Sequence, residues 1–152
     1  MKDGMLPRER VLSCFNSIEF DRVPVINPTS VATVESMQAT KAFFPEVHTN
    51  ADKMAALAAS GHEILGFDTV APYFSVHQEA AALGCDINWG AIDMMPEIHS
   101  HPLKHPGDFK MPKDFLDKKS IRTVLDAIKL LKKKYGNKVA VVGKVMGPWT
   151  LS

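Results

Sequence analysis

Phe67-Asp68-Thr69-Val70-Ala71-Pro72-Tyr73-Phe74 is a mostly apolar run of strand length, followed at once by the polar Ser75-Val76-His77-Gln78-Glu79 and the alanine-rich Ala80-Ala81-Ala82-Leu83-Gly84. Such a run predicts a strand buried on both faces, and the order strand, polar loop, short helix fits a parallel sheet covered by helices. The segment before it carries the complementary signature. Asn50 is placed to cap a helix in which Met54, Leu57, Ala58, Gly61, Ile64 and Leu65 share one face, and Gly66 ends that helix with a residue that accepts the left-handed conformation.

Toward the N-terminus, Pro7 suits the first turn of a helix in which Val11, Leu12, Phe15 and Ile18 recur at helical spacing up to about Glu19. Val23-Pro24-Val25-Ile26 then predicts a first strand, and Asn27-Pro28-Thr29-Ser30 has turn chemistry. A weaker helical pattern covers Val31 to Phe44. Toward the C-terminus, Cys85 to Pro112 is rich in Pro, Gly and His and predicts an irregular excursion with one short strand near Ile87-Asn88-Trp89. Ser120 is placed to cap a helix whose Ile121, Val124, Leu125, Ile128 and Leu131 make one apolar face before the stop at Tyr135-Gly136-Asn137. Lys129, Lys132, Lys133 and Lys134 suit its C-terminal end, where cations complement the helix dipole. Val139-Ala140-Val141-Val142-Gly143 is a second buried-type strand, leading into Lys144-Val145-Met146-Gly147-Pro148-Trp149-Thr150-Leu151. Alternating strands and helices make the class α/β.

With 152 residues, 45% of them hydrophobic and 23% charged, the chain has material for one core. The formal charge of +1 arises from interspersed acids and bases, so no field attracts nucleic acid or an acidic membrane. Cys14 and Cys85 form no short-spaced pair and are expected to be free thiols in a reducing compartment. The start of the chain lacks the apolar region of a signal peptide, and no stretch approaches the ~18 apolar residues needed to span a bilayer. A soluble cytoplasmic protein is the expectation. Gly143-Lys144-Val145-Met146-Gly147 follows a strand but lacks the Gly-Lys-Ser/Thr of a phosphate loop, and no G-x-G-x-x-G occurs. His99, His101 and His105 read as exposed loop histidines rather than a zinc set, and His62-Glu63 lacks the second histidine of a metalloprotease helix. The polar stretch from Ser75 to Glu79 is different, because it falls at the C-terminal end of a parallel strand, where α/β enzymes place their chemistry. Glu79 and His77 there are candidates for ligand, acid or base; the alternative is that Glu79 only stabilises a helix N-terminus by its charge.

The segment from Gly66 to Cys85, the ending Gly147-Pro148-Trp149-Thr150-Leu151, and the opening Pro7-Arg8-Glu9-Arg10-Val11-Leu12 with Asp21-Arg22-Val23-Pro24-Val25 together resemble the uroporphyrinogen decarboxylase superfamily. The resemblance implies a (β/α)8 barrel with its active site at the C-terminal mouth. Residues 1–152 would be the N-terminal portion of one such barrel domain, apparently truncated, since barrels of this kind run to about 250 residues or more. True decarboxylases carry an arginine-rich stretch after the first strand and an aspartate after Phe-Ser. Here residues 27–35 contain no arginine and Val76 takes the aspartate's place, so a polyanionic porphyrinogen lacks charged partners at both spots. Phe74-Ser75-Val76-His77-Gln78-Glu79-Ala80 and Trp89-Gly90 are instead similar to the methylcobalamin:coenzyme M methyltransferase branch. That branch implies zinc, which binds the coenzyme M thiol and lowers its pKa for attack on a methylated corrinoid held by a partner protein. The zinc ligands of that branch come mainly from a His-x-Cys pair and a later Cys, and this chain contains no His-x-Cys. The resemblance leaves Glu79 as an additional zinc ligand or its neighbour, and Asn27, Ser30, Ser75, His77, Gln78 and Trp149 as further residues of the mouth. Residues 1–152 alone are expected to be inactive, and an exposed sheet edge to favour self-association. The alternatives are a uroporphyrinogen decarboxylase and a non-catalytic half-barrel that binds a partner.

Overall fold

The computed structural model describes residues 4–151, so the reading of Met1-Lys2-Asp3 lies outside the described residues. Helix α1 (Pro7–Phe15) is followed by an extended segment, residues 23–27, and by α2 (Val34–Thr40) and α3 (Ala51–Glu63). Strand β1 (Thr69–Val70) leads to α4 (Gln78–Ala82), an antiparallel pair β2 (Asp86–Asn88) and β3 (Glu97–Ser100), helix α5 (Lys119–Tyr135), strand β4 (Ala140–Val141) and α6 (Pro148–Leu151). β1 and β4 pair in parallel with Thr69 opposite Ala140 and Val70 opposite Val141. The sheet they form has two strands, and no barrel closes among the described residues.

The core lies between α3, α5 and this sheet. Asn50 caps α3 by accepting a bond from the Lys53 amide at 3.1 Å, as expected, and Asp52 places a negative charge in the first turn. Ala55, Ala58 and Ala59 on α3 lie in one buried cluster with Val124, Ala127 and Leu131 of α5 and with Val70 and Val139. The small residues let the helices approach, while fully buried Leu57 and Leu131 each contribute roughly 1.5–3 kcal/mol of burial. Gly66, at φ +73°, turns the chain from α3 into β1.

Several expectations need correction. α1 ends at Phe15 rather than near Glu19, and Leu12, Phe15 (74% exposed) and Ile18 are exposed, because its inward face carries Val11 and the charged Arg10. Residues 23–27 run beside β1 without forming a ladder. Pro24 has no amide to give, the Val25 amide bonds the Asp68 carboxylate at 2.7 Å, and the Asn27 amide bonds the Thr69 hydroxyl at 3.2 Å. Only Asp68 N to Val25 O, 2.8 Å, is a backbone bond there. Both parallel strands are two residues long, shorter than predicted; beyond β1, Pro72 lacks a ladder donor. Ile64 and Leu65 lie past the end of α3 and are exposed. Ser120 does not cap α5, which starts one residue earlier; its hydroxyl donates to the Gln78 carbonyl at 2.8 Å. In α5, Val124 and Leu131 are buried, while Ile121, Leu125 and Ile128 are half-buried. The excursion after Cys85 holds the expected strand and a partner strand, β3, that the sequence reading missed.

At the N-terminal end of β1 lies a buried ion cluster. Asp68, 1% exposed, receives Arg10 at 2.5 Å and Arg22 at 2.8 and 3.0 Å, while Arg10 also grips Asp21 with two bonds of 2.6 and 2.7 Å. Burial pushes the Asp68 carboxyl up, but hydrogen bonds from Arg22 and Val25 and the charge of Arg10 outweigh it and hold the group below the ordinary carboxylate range. Its contribution to stability is therefore present at neutral pH and lost as acid protonates it. Asp68→Asn keeps the shape and removes the charge, leaving Arg10 with Asp21 as its remaining carboxylate and turning an acceptor toward Arg22 and the Val25 amide into a donor. The expected cost is about 1–3 kcal/mol, read as a lower urea midpoint; an unchanged midpoint contradicts this account of the fold.

Candidate active-site mouth

The C-terminal ends of β1 and β4 lie side by side. Residues 71–75 are buried throughout, so the polar groups among them need partners. Ser30, held at φ +71°, supplies two: its hydroxyl donates to the Ala71 carbonyl and accepts from the Tyr73 amide at 3.1 Å. The Tyr73 hydroxyl in turn donates to Glu79 Oε2, and Glu79 Oε1 accepts from the Met146 amide at 3.0 Å. Glu79, 8% exposed, thus ties the loop after β1 to the loop after β4. Burial and the adjacent Glu79 carboxylate push the Tyr73 phenol above its ordinary range, so it stays a hydrogen-bond donor at neutral pH. The Lys144 ammonium stands over the Tyr73 ring, 5.1 Å from its centroid.

Of the residues predicted for the mouth, Ser30 and Glu79 meet through Tyr73. Ser75 is buried and turns inward locally, its hydroxyl accepting from the His77 amide at 3.0 Å. His77 is the half-buried N-cap of α4 and makes no capping bond with its side chain. Asn27 is spent on its own turn, accepting from the amide and hydroxyl of Thr29 at 3.0 Å each. Trp149, on α6, is 91% exposed. Val76, where decarboxylases have an aspartate, is exposed. The reading of Glu79 as a mere charge at a helix start misses its two bonds to other elements. A cleft of about 480 Å³ between α3 and α5, lined by Ala55, Ala59, Leu130 and Lys134 among others, opens on the helix layer and holds none of these residues.

Gln78 points the other way from Glu79, and the sequence reading missed what it meets. Its amide nitrogen donates to the His48 carbonyl at 3.1 Å, while its Oε1 and both ring nitrogens of His48 are buried without a hydrogen-bond partner among the described residues. The His48 ring, 0% exposed, lies between Phe44 and Trp89, with centroids 4.4 and 5.6 Å away. This stack pins the β2–β3 excursion to the turn that precedes α3. Only the isolated His48 in a helix-poor stretch hinted at it in the sequence.

Burial pushes the His48 imidazole down to about 4 from an ordinary 6.5. The unfolded chain therefore takes up the proton first: the stabilisation is complete above about pH 6.5 and falls away toward pH 4, by up to about 3 kcal/mol. His48→Phe keeps the stack and removes the titration. Its unfolding free energy is expected to match or exceed that of the parent at pH 7 and to lose the decline between pH 6.5 and 4.5; a decline equal to the parent's in chemical denaturation contradicts the assignment.

Comparison with known proteins gives the family and the fold. Methylcobamide:CoM methyltransferase MtbA of Methanosarcina mazei is 38% identical over 147 residues, covering 96% of this chain and 43% of that relative. Methylcobamide:CoM methyltransferase MtaA of Methanosarcina barkeri is 34% identical over 146 residues, covering 95% of this chain and 43% of that relative. A solved methyltransferase from Methanosarcina mazei matches with a TM-score of 0.90 at 34% identity, over 97% of this chain and 44% of that one. The chain thus spans less than half the length of the relatives it matches, and the expected class, an α/β partial barrel, holds. Residues 6–152 match the uroporphyrinogen decarboxylase (URO-D) family, and the chain belongs to that family.

Proposed function

We propose that this chain forms the first strands and part of the mouth of a methyltransferase that moves a methyl group from a methylated corrinoid protein to the thiol of coenzyme M or a related thiol. The observation that carries the reading is the identity of 38% with a methylcobamide:CoM methyltransferase across 96% of the chain. Two features of the chain support it: a buried carboxylate at the ends of two parallel strands, and an exposed Val76 with no arginine in residues 27–35. A porphyrinogen's carboxylates and pyrrole nitrogens would lack charged partners at those two places.

The described residues do not by themselves fit a zinc ion. No group of three or more His, Cys, Asp or Glu side chains converges among them. Cys14 and Cys85 are free and far apart in sequence, and burial pushes the Cys85 thiol up, away from the thiolate a metal takes. Glu79 is one donor where zinc takes three or four protein ligands. In this reading Glu79 stands as an additional donor or a hydrogen-bonded neighbour of a metal whose other ligands lie outside the chain; each of its oxygens accepts one hydrogen bond and keeps a second lone pair.

What the chain's own residues do is positional. Ser30 fixes the loop after β1, Tyr73 hands Glu79 a proton-bearing hydroxyl, and Glu79 fixes the loop after β4. A cytoplasmic setting belongs to the same proposal and rests on the free cysteines; no helix among the described residues is long and apolar enough to cross a membrane. So does self-association through the exposed Val23, Val25 and Val145 beside the sheet.

The test is a chimaera in which this chain replaces the matching segment of the M. mazei methyltransferase. Methyl transfer from a methylated corrinoid protein to coenzyme M is expected from the chimaera and not from the chain alone. Glu79→Ala in the chimaera is expected to lower kcat at least tenfold, the scale of a lost charged hydrogen bond. A folded chimaera that decarboxylates uroporphyrinogen, or that transfers no methyl group, contradicts the proposal.

A further inference from the structure

We infer that Lys144 holds the anionic tail of the acceptor thiol, a sulfonate, at the mouth; the inference rests on the thiol-acceptor reading above and adds the residue that selects the acceptor. Its position follows from the register. Val70 pairs with Val141, so Tyr73 and Lys144 are each the third residue beyond their strand and emerge side by side. The ammonium lies 5.1 Å from the Tyr73 ring centroid, within the range at which a ring face attracts a cation. That contact fixes where the charge stands without consuming its hydrogens.

The surroundings leave this cation uncompensated. Lys118, Lys129 and Lys134 each reach a carboxylate within 3.1 Å, whereas Lys144 has no carboxylate within 4.0 Å among the described residues. Glu79, the neighbouring acid, is turned to the Tyr73 hydroxyl and the Met146 amide. The mouth therefore presents an ammonium on a flexible stem, half-buried, over an aromatic face. A compact point charge with three donors suits a tetrahedral oxyanion and has no use for a neutral alkyl thiol. Coenzyme M, 2-mercaptoethanesulfonate, carries a permanent negative charge two carbons from its thiol. Lys144 is placed to take that charge and to leave the thiol free to turn inward.

The experiment titrates the chain with 2-mercaptoethanesulfonate, ethanesulfonate and ethanethiol, followed by backbone amide NMR. Both sulfonates are expected to shift Tyr73, Lys144 and Met146 saturably, and ethanethiol is not. Lys144→Gln, with the retained fold checked by circular dichroism, is expected to weaken both sulfonates at least tenfold, and Lys144→Arg to retain them within a few-fold. Ethanethiol binding as well as the sulfonates, sulfonate binding indifferent to Lys144→Gln, or no saturable shift overturns the inference. The two proposals fail separately. Lys144-dependent sulfonate binding beside an inactive chimaera removes the methyl-transfer reading and leaves the anion site; an active chimaera indifferent to Lys144→Gln removes the anion site alone.

Discussion

The buried carboxylate of Asp68 is the constraint on which the rest of this structure depends. It sits at the start of β1 and accepts from Arg10 on α1, Arg22, and the amide of Val25. An isolated charge at 1% exposure is too costly to keep, so the segments that supply its partners are not free to move away. The same carboxylate replaces the backbone acceptor that a ladder between residues 23–27 and β1 would otherwise provide. Arg8, two residues before Arg10 on α1, adds a backbone bond of 2.9 Å from its amide to the Lys138 carbonyl, which brings α1 to the start of β4 as well. The N-terminal end of the sheet is thus closed by ions, while the core between α3 and α5 is closed by small apolar side chains.

At the opposite end of the sheet neither device operates. There the polar contacts run in one line from Ser30 through Tyr73 and Glu79 to Met146, joining the turn at Ser30 to the loops that follow β1 and β4. Rigid strands thereby hold polar groups at their C-terminal ends, which is the arrangement that α/β enzymes exploit. The Lys144 ammonium stands beside this line, over the Tyr73 ring. The His48 stack sets the β2–β3 excursion beside the same end of the fold, because Gln78, one residue before Glu79, bonds the His48 carbonyl.

The sequence was informative where periodicity or cap chemistry acts locally. Asn50, the apolar face through Met54, Leu57 and Ala58, and the apolar run before Ser75 announced α3 and β1, and Glu79 was legible from its place after a strand. It was misleading wherever long-range polar contacts decide. Nothing local says that Arg10 turns inward while Phe15 turns out, or that the Val25 amide bonds a side chain 43 residues away. Ser120 has the chemistry of a cap, yet its hydroxyl serves the Gln78 carbonyl at the start of α4, 42 residues away. Tyr73 and Lys144 escaped notice because their meeting depends on the register between two strands, which no single segment encodes. His48 escaped because a stack on Trp89 requires the path of the whole excursion.

The central claim is that Glu79 clasps the loops beyond β1 and β4 into one mouth, and the Met146 amide reports on that clasp directly. Native-state hydrogen exchange of the chain and of Glu79→Ala measures it, with the Val142 amide, bonded to the Val70 carbonyl at 2.9 Å, as the internal reference for the strand pairing. The account predicts that Met146 is protected in the parent and loses that protection in the variant while Val142 keeps its own. A Met146 amide that exchanges at the unprotected rate in the parent, or is equally slow in both proteins, contradicts it.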